Sequence, residues 1–584
     1  MNESQPTRIG VLSPLLAGSY SGIVLAGAVR EAEAVGVGVV GIQTLDISQG
    51  GIRALVPDYA LRTAWEQVAG FVVVVNAVGR DYLESLRAAG TPVVLVADEL
   101  EGFPCPAVRA DNRGGVTQAV AHLIEHGHRR IAFCGAMYQA DIRERRAAYA
   151  DALRAHGMEP AGELFFETGD NLESGGAAAA RAFLAAGAPA TAIVAATDFN
   201  AIGLMRALTE EGLEIPRDVA VAGFDDVTGS SAGRPTLSRV HHSVEAAGGR
   251  AARLLLDLIA GREVAMGPHL VPTTFIARES CGCSAGATAQ ALASPASACA
   301  PAEQNLRLRL ERLLLGSDQP TAEQADHLDR AVALMVAGLA AEPAEGGGEL
   351  SEAARRLFAV SPRWTTITAA IDCCRAYQRD GGGGATADPA RLTDLAVELS
   401  RALAQHEQRA HSDLNHSVAR QFQLTISLLG GGSGDPHSLG WLASSSARAA
   451  CLGLWAAEPA GAPTAGRRLV IAGSYVRDGD PPLSLPAEAI AERFPPPALL
   501  DDVAATPGEI TLVVPLRTEA MDMGLLAMVA PVESTQVTGR DAIFELDSLL
   551  SSCSLCGSVE SAGGSESPGA GESGGALLTE LART

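Results

Sequence analysis

Four short segments of this chain carry side chains able to hold a polar small molecule. They are Gly18-Ser-Tyr20-Ser-Gly22, Asp141-Ile-Arg143-Glu-Arg145, Ala196-Thr197-Asp198-Phe199-Asn200 and Gly223-Phe224-Asp225-Asp226. Together they offer carboxylates, guanidinium groups, an amide and aromatic rings. A carboxylate accepts pairs of hydroxyl hydrogens, arginine donates in a fixed fork, and a ring covers the apolar face of a sugar or base. That mixture suits a polyhydroxylated metabolite. Asp225-Asp226 also has a plainer reading, as the cap of a turn.

The elements that must position these segments alternate strongly. Ile9–Ser13, Val37–Gln43, Phe71–Asn76, Pro92–Ala97, Ile131–Gly135, Ala192–Ala196 and Val219–Gly223 read as short apolar strands. Helical patterns stand between them at Ile23–Ala34, Gly114–Glu125, Arg143–His156, Ala177–Ala186, Ala201–Glu211 and Val244–Leu258. Continuous apolar strands separated by helices imply parallel sheets covered on both faces. The units are too many for one ordinary open sheet, so two Rossmann-like lobes with a ligand between them are expected. In such sheets ligands bind outside the carboxyl ends of the strands, where the four segments fall.

Composition narrows the function. The 584 residues carry a formal charge of -24, and all 44 basic residues are arginine. Without lysine there is no Schiff-base chemistry and no phosphate loop ending in G-K-[ST]. An acidic chain lacks the basic excess that nucleic-acid phosphates require. No run of 18 apolar residues suggests a membrane span, and the N-terminus has no secretory pattern, so a cytoplasmic location with no membrane contact is expected. Cys281-x-Cys283 and Cys553-x-x-Cys556 are close pairs among ten cysteines, but neither has a second half at finger or ribbon spacing. They are read as structural or incidental.

Several stretches then point to one family. Val108-Arg-Ala-Asp-Asn-Arg-Gly-Gly, Ala121-His-Leu-Ile-Glu-His-Gly-His-Arg-Arg-Ile-Ala-Phe, Thr197-Asp198…Gly203, Ile215-Pro-Arg-Asp-Val-Ala-Val-Ala-Gly-Phe-Asp-Asp and Arg234-Pro-Thr-Leu-Ser-Arg-Val follow in order with sensible spacing. Over about residues 8–280 the chain resembles the lactose-repressor/galactose-repressor (LacI/GalR) family. The resemblance implies an α/β, two-lobed type I periplasmic-binding-protein fold with a ligand in the interlobe cleft and a side-by-side homodimer. It places the family's inducer-contacting arginine on Arg145 and its hydroxyl-binding aspartate on Asp225. The family's Asn-Asp pair falls on Thr197-Asp198, where threonine offers only a hydroxyl. The first-strand loop also departs from the family pattern, leaving Tyr20 as the natural stacking ring. His122-Leu-Ile-Glu125-His126 matches the letters of the H-x-x-E-H zinc motif. Because the resemblance accounts for this segment, it is read as helix-end packing, with no metal or cofactor expected. Family members that repress genes begin with a helix-turn-helix, and here the first sensor strand starts at Ile9, so no direct DNA binding is expected.

The second half carries weaker signals. Residues 281–302 read as a linker and 303–429 as a helical segment. Residues 430–556 read as a smaller α+β domain with strands at Ala449–Ala456, Leu469–Tyr475, Ile510–Pro515 and Met523–Val529, and 557–584 as a disordered tail. This order resembles bacterial signalling proteins that join a repressor-like sensor to a GAF-like domain. In 392–429, Leu395, Leu399, Leu403, Leu414, Val418, Phe422 and Ile426 form an apolar stripe, which suits either packing on its own domain or a dimer helix. The chain is therefore expected to be a ligand-sensing regulator and not an enzyme. Its effector would be sugar-like or nucleoside-like, and a protein partner could receive the signal. A regulator working through a partner's DNA-binding domain and a scaffold with a silent cleft are the alternatives.

Overall fold

Runs of three to six buried residues make the central strands of the first half. β1 (Arg8–Ser13), β2 (Gly38–Gln43), β3 (Phe71–Val74), β4 (Val93–Val96) and β5 (Pro106–Ala110) are parallel, as the continuous apolar pattern requires. A second sheet holds β6 (Ile131–Gly135), β7 (Phe165–Glu167), β8 (Ala192–Ala195), β9 (Ala220–Phe224) and β10 (Ser238–His242). The computed structural model describes residues 8–18, 20–45, 59–98, 100, 102–225, 235–283, 302–315, 322–341, 347–361, 365–379, 390–406, 408–409, 439–456, 466–503, 506–517 and 522–532.

Helices α1 (Ser21–Glu33) and α2 (Arg80–Ala88) cover the first sheet. α3 (Asn112–Glu125), α4 (Ala140–Ala155), α5 (Glu173–Ala185) and α6 (Asp198–Glu210) cover the second, and α7 (Val244–Ile259) returns to the first. The chain crosses between the lobes three times: from β5 into α3, from β10 into α7, and from β11 (Gly267–Val271) into β12 (Thr273–Ile276). The first and third crossings are tied together. Asp111 N–H donates to Val271 O at 2.9 Å and Thr273 Oγ1 donates to Asp111 O at 2.9 Å. The expected two-lobed architecture is thus present. β5, β7 and β10–β12 have no counterpart in the sequence reading. β7 and the edge strands β11 and β12 are short and only part buried, so their apolar signal is weak. α4, α5 and α6 each begin three or four residues before their apolar pattern does. For α6 the reason is a cap, since Thr197 Oγ1 accepts from Asn200 N–H at 3.1 Å.

The C-terminal strands correct one expectation. β13 (Ala449–Trp455), β14 (Arg468–Val476), β15 (Glu488–Ile490), β16 (Glu509–Arg517) and β17 (Asp522–Pro531) form an antiparallel array in the order β16-β17-β13-β14-β15. This array is not a separate layer. β16 pairs in parallel with β2, Val40 facing Thr511, Gly41 facing Leu512 and Ile42 facing Val513, so one sheet of eleven strands runs through lobe 1 and the C-terminal array. The physical reason is that β2 ends lobe 1 as an apolar open edge, which a parallel partner closes. The seam carries further bonds. Arg8 pairs with Asp501, Arg493 Nε meets Glu66 Oε2 at 2.6 Å, and Glu66 N–H donates to Glu492 O at 2.9 Å.

Between the two lies a helical segment. Helices Ala302–Leu315, Ala322–Ala340, Gly347–Val360, Thr365–Arg379 and 390–406 share a core of their own around Leu306, Met335 and Leu357. Leu395 and Leu399 of the long stripe are buried in that core, which is packing on their own unit. The stripe beyond residue 409, the closing helix expected at 540–551 and the tail lie outside the described residues. Among the described residues no helix is long and apolar enough to cross a membrane.

The seam makes a testable statement. A chain cut after Cys283 is expected to self-associate or precipitate, because β2 becomes an open edge and the apolar side chains that pack against Leu512 and Val513 face water. Size-exclusion chromatography checks this. A monodisperse fragment melting as the sensor does in the full chain would show that the seam contributes nothing.

Candidate functional site

A cleft of about 480 Å³ opens between the two lobes. The carboxyl ends of β1, β6, β8, β9 and β10 lead into it, which is why residues far apart in sequence share its walls. Lobe 1 contributes Tyr20 and Arg109. Lobe 2 contributes Asp141, Arg145, Thr197 and Asp225, and Tyr138 and His242 stand at its edges.

Arg145 organises lobe 2's wall. It sits on α4 one turn after Asp141, so both side chains leave the same helix face. Its Nη1 donates to Asp225 Oδ1 at 2.8 Å and to Ala196 O at 2.7 Å. Nε donates to Asn112 Oδ1 at 2.8 Å and Nη2 to Asp141 Oδ2 at 3.2 Å. The guanidinium lies over the Phe224 ring, 3.6 Å from its centroid. These bonds use four of the five N–H donors, leaving one Nη2 hydrogen.

Asp225 adopts φ of +110°, a conformation rarely taken by residues with a side chain and costing about 1–3 kcal/mol. Strain of that kind persists where the surroundings over-determine it, and here it turns the carboxylate toward Arg145. Burial pushes the Asp225 carboxyl up to about 6; the Arg145 charge opposes this and Asp141 adds to it. Burial likewise raises the Tyr20 hydroxyl well above the ordinary phenol range, helped by Asp141 and Asp225. His242 is pushed down to about 3, first by burial and then by Arg145, so it is a neutral imidazole. Its Nε2 lies 4.0 Å from Asp225 Oδ1, and its buried Nδ1 has no hydrogen-bond partner among the described residues.

Two sequence-derived candidates stand differently from expectation. Asp198 does not line the cleft. It is the first residue of α6, fully buried behind the wall, where Arg239 Nη1 meets its Oδ2 at 3.2 Å. Gly223 has no Cβ because one would stand 2.5 Å from Asp198 Oδ1, so the glycine before Phe224-Asp225 makes room for this carboxylate. Thr197 does border the cleft, but its hydroxyl donates to Asn171 O at 3.0 Å while capping α6. That hydrogen is committed to the fold. Asp226 lies outside the described residues. Tyr20 lines the lobe 1 side of the cavity, and Arg145 and Asp225 line the lobe 2 side.

Sequence reasoning missed Asn112, Tyr138 and His242. Asn112 lies inside the Val108–Gly115 stretch at the start of α3, which Asp111 Oδ1 caps by accepting from Gly114 N–H at 2.9 Å. Tyr138 is 36% exposed and lines the cleft. His242 follows the Arg234–Val240 stretch by two residues, and that proximity was the available signal.

Several known proteins are similar to part of this chain. The profile of the periplasmic binding protein-like domain family matches residues 120–281. The HTH-type transcriptional regulator CelR of Thermobifida fusca is 36% identical over 201 residues, 34% of this chain and 58% of that protein. The HTH-type transcriptional regulator GalR of Escherichia coli is 32% identical over 199 residues, 34% of this chain and 58% of its own. The chain thus spans a little over half the length of the curated relatives it matches. Among solved structures, transcription regulator CcpA of Lactococcus lactis aligns with 25% identity and a TM-score of 0.42, over 47% of this chain and 99% of that one. The transcriptional regulator CelR–cellobiose complex aligns with 29% identity and a TM-score of 0.40, over 48% and 85%. Residues 120–281 of this chain thus match the periplasmic binding protein-like domain family, and the curated proteins similar to the chain are transcriptional regulators.

Proposed function

We propose that this protein is a sensor of a neutral, polyhydroxylated metabolite of the sugar class, a regulator and not an enzyme. The observation that carries the reading is the Arg145–Asp225–Asp141 cluster set in the interlobe cleft opposite Tyr20. Carboxylates that outnumber the guanidinium disfavour an anionic ligand and favour hydroxyl hydrogens. Tyr20 and Tyr138 supply flat apolar faces for a pyranose ring, and His242 Nδ1 supplies a buried atom still without a partner. Relatives of the matched stretch are transcriptional regulators by name, and one solved structure is a CelR–cellobiose complex.

Signal transfer follows from where the chain leaves and returns. It leaves lobe 2 at Cys283 and re-enters through β16, which is bonded to lobe 1. Lobe closure changes the separation of those two points, and the helical segment 302–406 bridges them. A ligand preferring the closed form therefore biases the arrangement of that segment. We keep the GAF-like reading of β13–β17 within this proposal, on the strength of their five-stranded antiparallel order.

Calorimetric titration of the full chain with monosaccharides, disaccharides and nucleosides tests the reading. A saccharide bound by the wild type and lost in Asp225→Ala supports it; a nucleoside-only hit, or saccharide binding unchanged in that variant, refutes it. The affinity also has an expected pH dependence. The ligand's hydroxyls donate to the Asp225 anion, and the carboxyl titrates near 6. Affinity should hold above pH 7 and fall as pH drops through 6, toward about tenfold per unit below it. A flat profile between pH 5 and 8 would show that Asp225 is not the acceptor.

A further inference from the structure

We propose that His122, His126, Cys281 and Cys283 form a structural zinc site that staples the exit of lobe 2 to α3. The sequence separates these residues into a histidine pair and a cysteine pair about 160 positions apart, each unremarkable alone. The fold brings them together. His122 lies on α3 and His126 caps its end, one turn further, so both imidazoles leave the same side, ring centroids 4.4 Å apart. Cys281 ends a single 3-10 turn, Glu279–Cys281. Gly282 then takes φ of +91°, a left-handed turn that a side chain would strain, and it returns Cys283 to the same side as Cys281.

Three of the four donor atoms already stand close to a coordination shell, and Cys281 adjoins it through His122. Cys283 Sγ lies 3.4 Å from His122 Nε2 and 3.3 Å from His126 Nε2, and Cys281 Sγ lies 3.3 Å from His122 Nε2. The ligand atoms of His122, His126 and Cys283 are all within 4.8 Å of one another. With ordinary zinc–sulfur and zinc–nitrogen bonds, adjacent N and S ligands of a tetrahedral ion stand about 3.6 Å apart. The three N–S separations are close to that edge.

The donor set chooses the metal and the role. Two thiols and two imidazoles, with no carboxylate among them, suit zinc and not magnesium or calcium. Four protein ligands fill a tetrahedral ion, leaving no position for a water nucleophile, so the site is structural and not hydrolytic. Cys281 is buried, His122 and Cys283 are half-buried and His126 is exposed, so the ion has a path from solvent.

The staple also has a position worth noting for regulation. α3 begins at Asn112, whose Oδ1 holds Arg145 in the cleft wall, and ends at the histidines that would hold the exit. One rigid helix of 14 residues links the two. The zinc site itself does not depend on the cleft binding a sugar.

The test uses the full chain, purified under reducing conditions. Elemental analysis after gel filtration should find about one zinc per chain. Cys281→Ser/Cys283→Ser should lose it, and Cys553→Ser/Cys556→Ser should keep it. Because the first variant could fold poorly, the wild type stripped of metal is also titrated with cobalt(II). The tetrahedral ligand-field bands and a thiolate-to-cobalt charge-transfer band are expected, and chelation should lower the melting temperature of the loaded protein. Zinc unchanged in Cys281→Ser/Cys283→Ser, zinc lost in Cys553→Ser/Cys556→Ser, or a cobalt spectrum without thiolate charge transfer would each overturn the proposal.

Discussion

Replacing Arg145 by methionine is expected to destabilise lobe 2 by about 3–5 kcal/mol at pH 7 and to abolish ligand binding. The side chain is 4% exposed and serves Asp225, Asp141, Asn112 and the Ala196 carbonyl at once. Methionine restores volume but none of the donors, so two half-buried carboxylates lose their counter-charge. In melting temperature the loss corresponds to about 10 °C for a unit of this size. The loss should shrink on acidification. In the folded wild type the Asp225 carboxyl is raised to about 6, above its unfolded value, so the folded chain holds this proton where the unfolded chain has released it. Stability from this group therefore falls as pH rises from about 4 to 6, by up to about 3 kcal/mol. Removing Arg145 raises that carboxyl further, so the variant regains stability relative to the wild type as pH drops toward 5. Thermal unfolding at pH 7 and pH 5 decides it. A loss under about 1 kcal/mol, the same at both pH values, would mean that the cluster is solvated and its bonds are of the weak surface kind.

The second large effect separates fold from function. Arg239→Met should cost about 3–5 kcal/mol, because it leaves the fully buried Asp198 carboxylate without the guanidinium 3.2 Å away. Asp198→Leu/Arg239→Met should recover much of that loss, since replacing both charges by apolar groups leaves none uncompensated. In either variant the folded protein should bind its ligand within about twofold of the wild type, because neither side chain reaches the cleft. Melting curves and calorimetry on the same samples check both halves. Binding lost in the double variant with stability restored would return Asp198 to the list of ligand contacts that its Thr197-Asp198 motif suggested.

Much of the architecture was legible in the chain itself. The period of apolar runs and helical stripes carried β1–β4, β6, β8, β9 and the helices between them, because a strand buried on both faces leaves an unbroken apolar signature. The rule that ligands gather at carboxyl ends then selected the loops holding Tyr20, Arg145 and Asp225. These are local patterns, and local patterns survive in a one-dimensional reading. Direction and distant pairing do not. Whether Asp198 points into the cleft or behind it depends on which side of α6 meets β10, where Arg239 waits. That β2 accepts β16 depends on an edge left open by strands some 470 residues earlier in the chain. That His122 and His126 meet Cys281 and Cys283 depends on where the last turn of lobe 2 lands against α3. In each case the deciding contact joins elements whose separation along the chain leaves no trace in either element's own pattern, so only the tertiary structure could supply it.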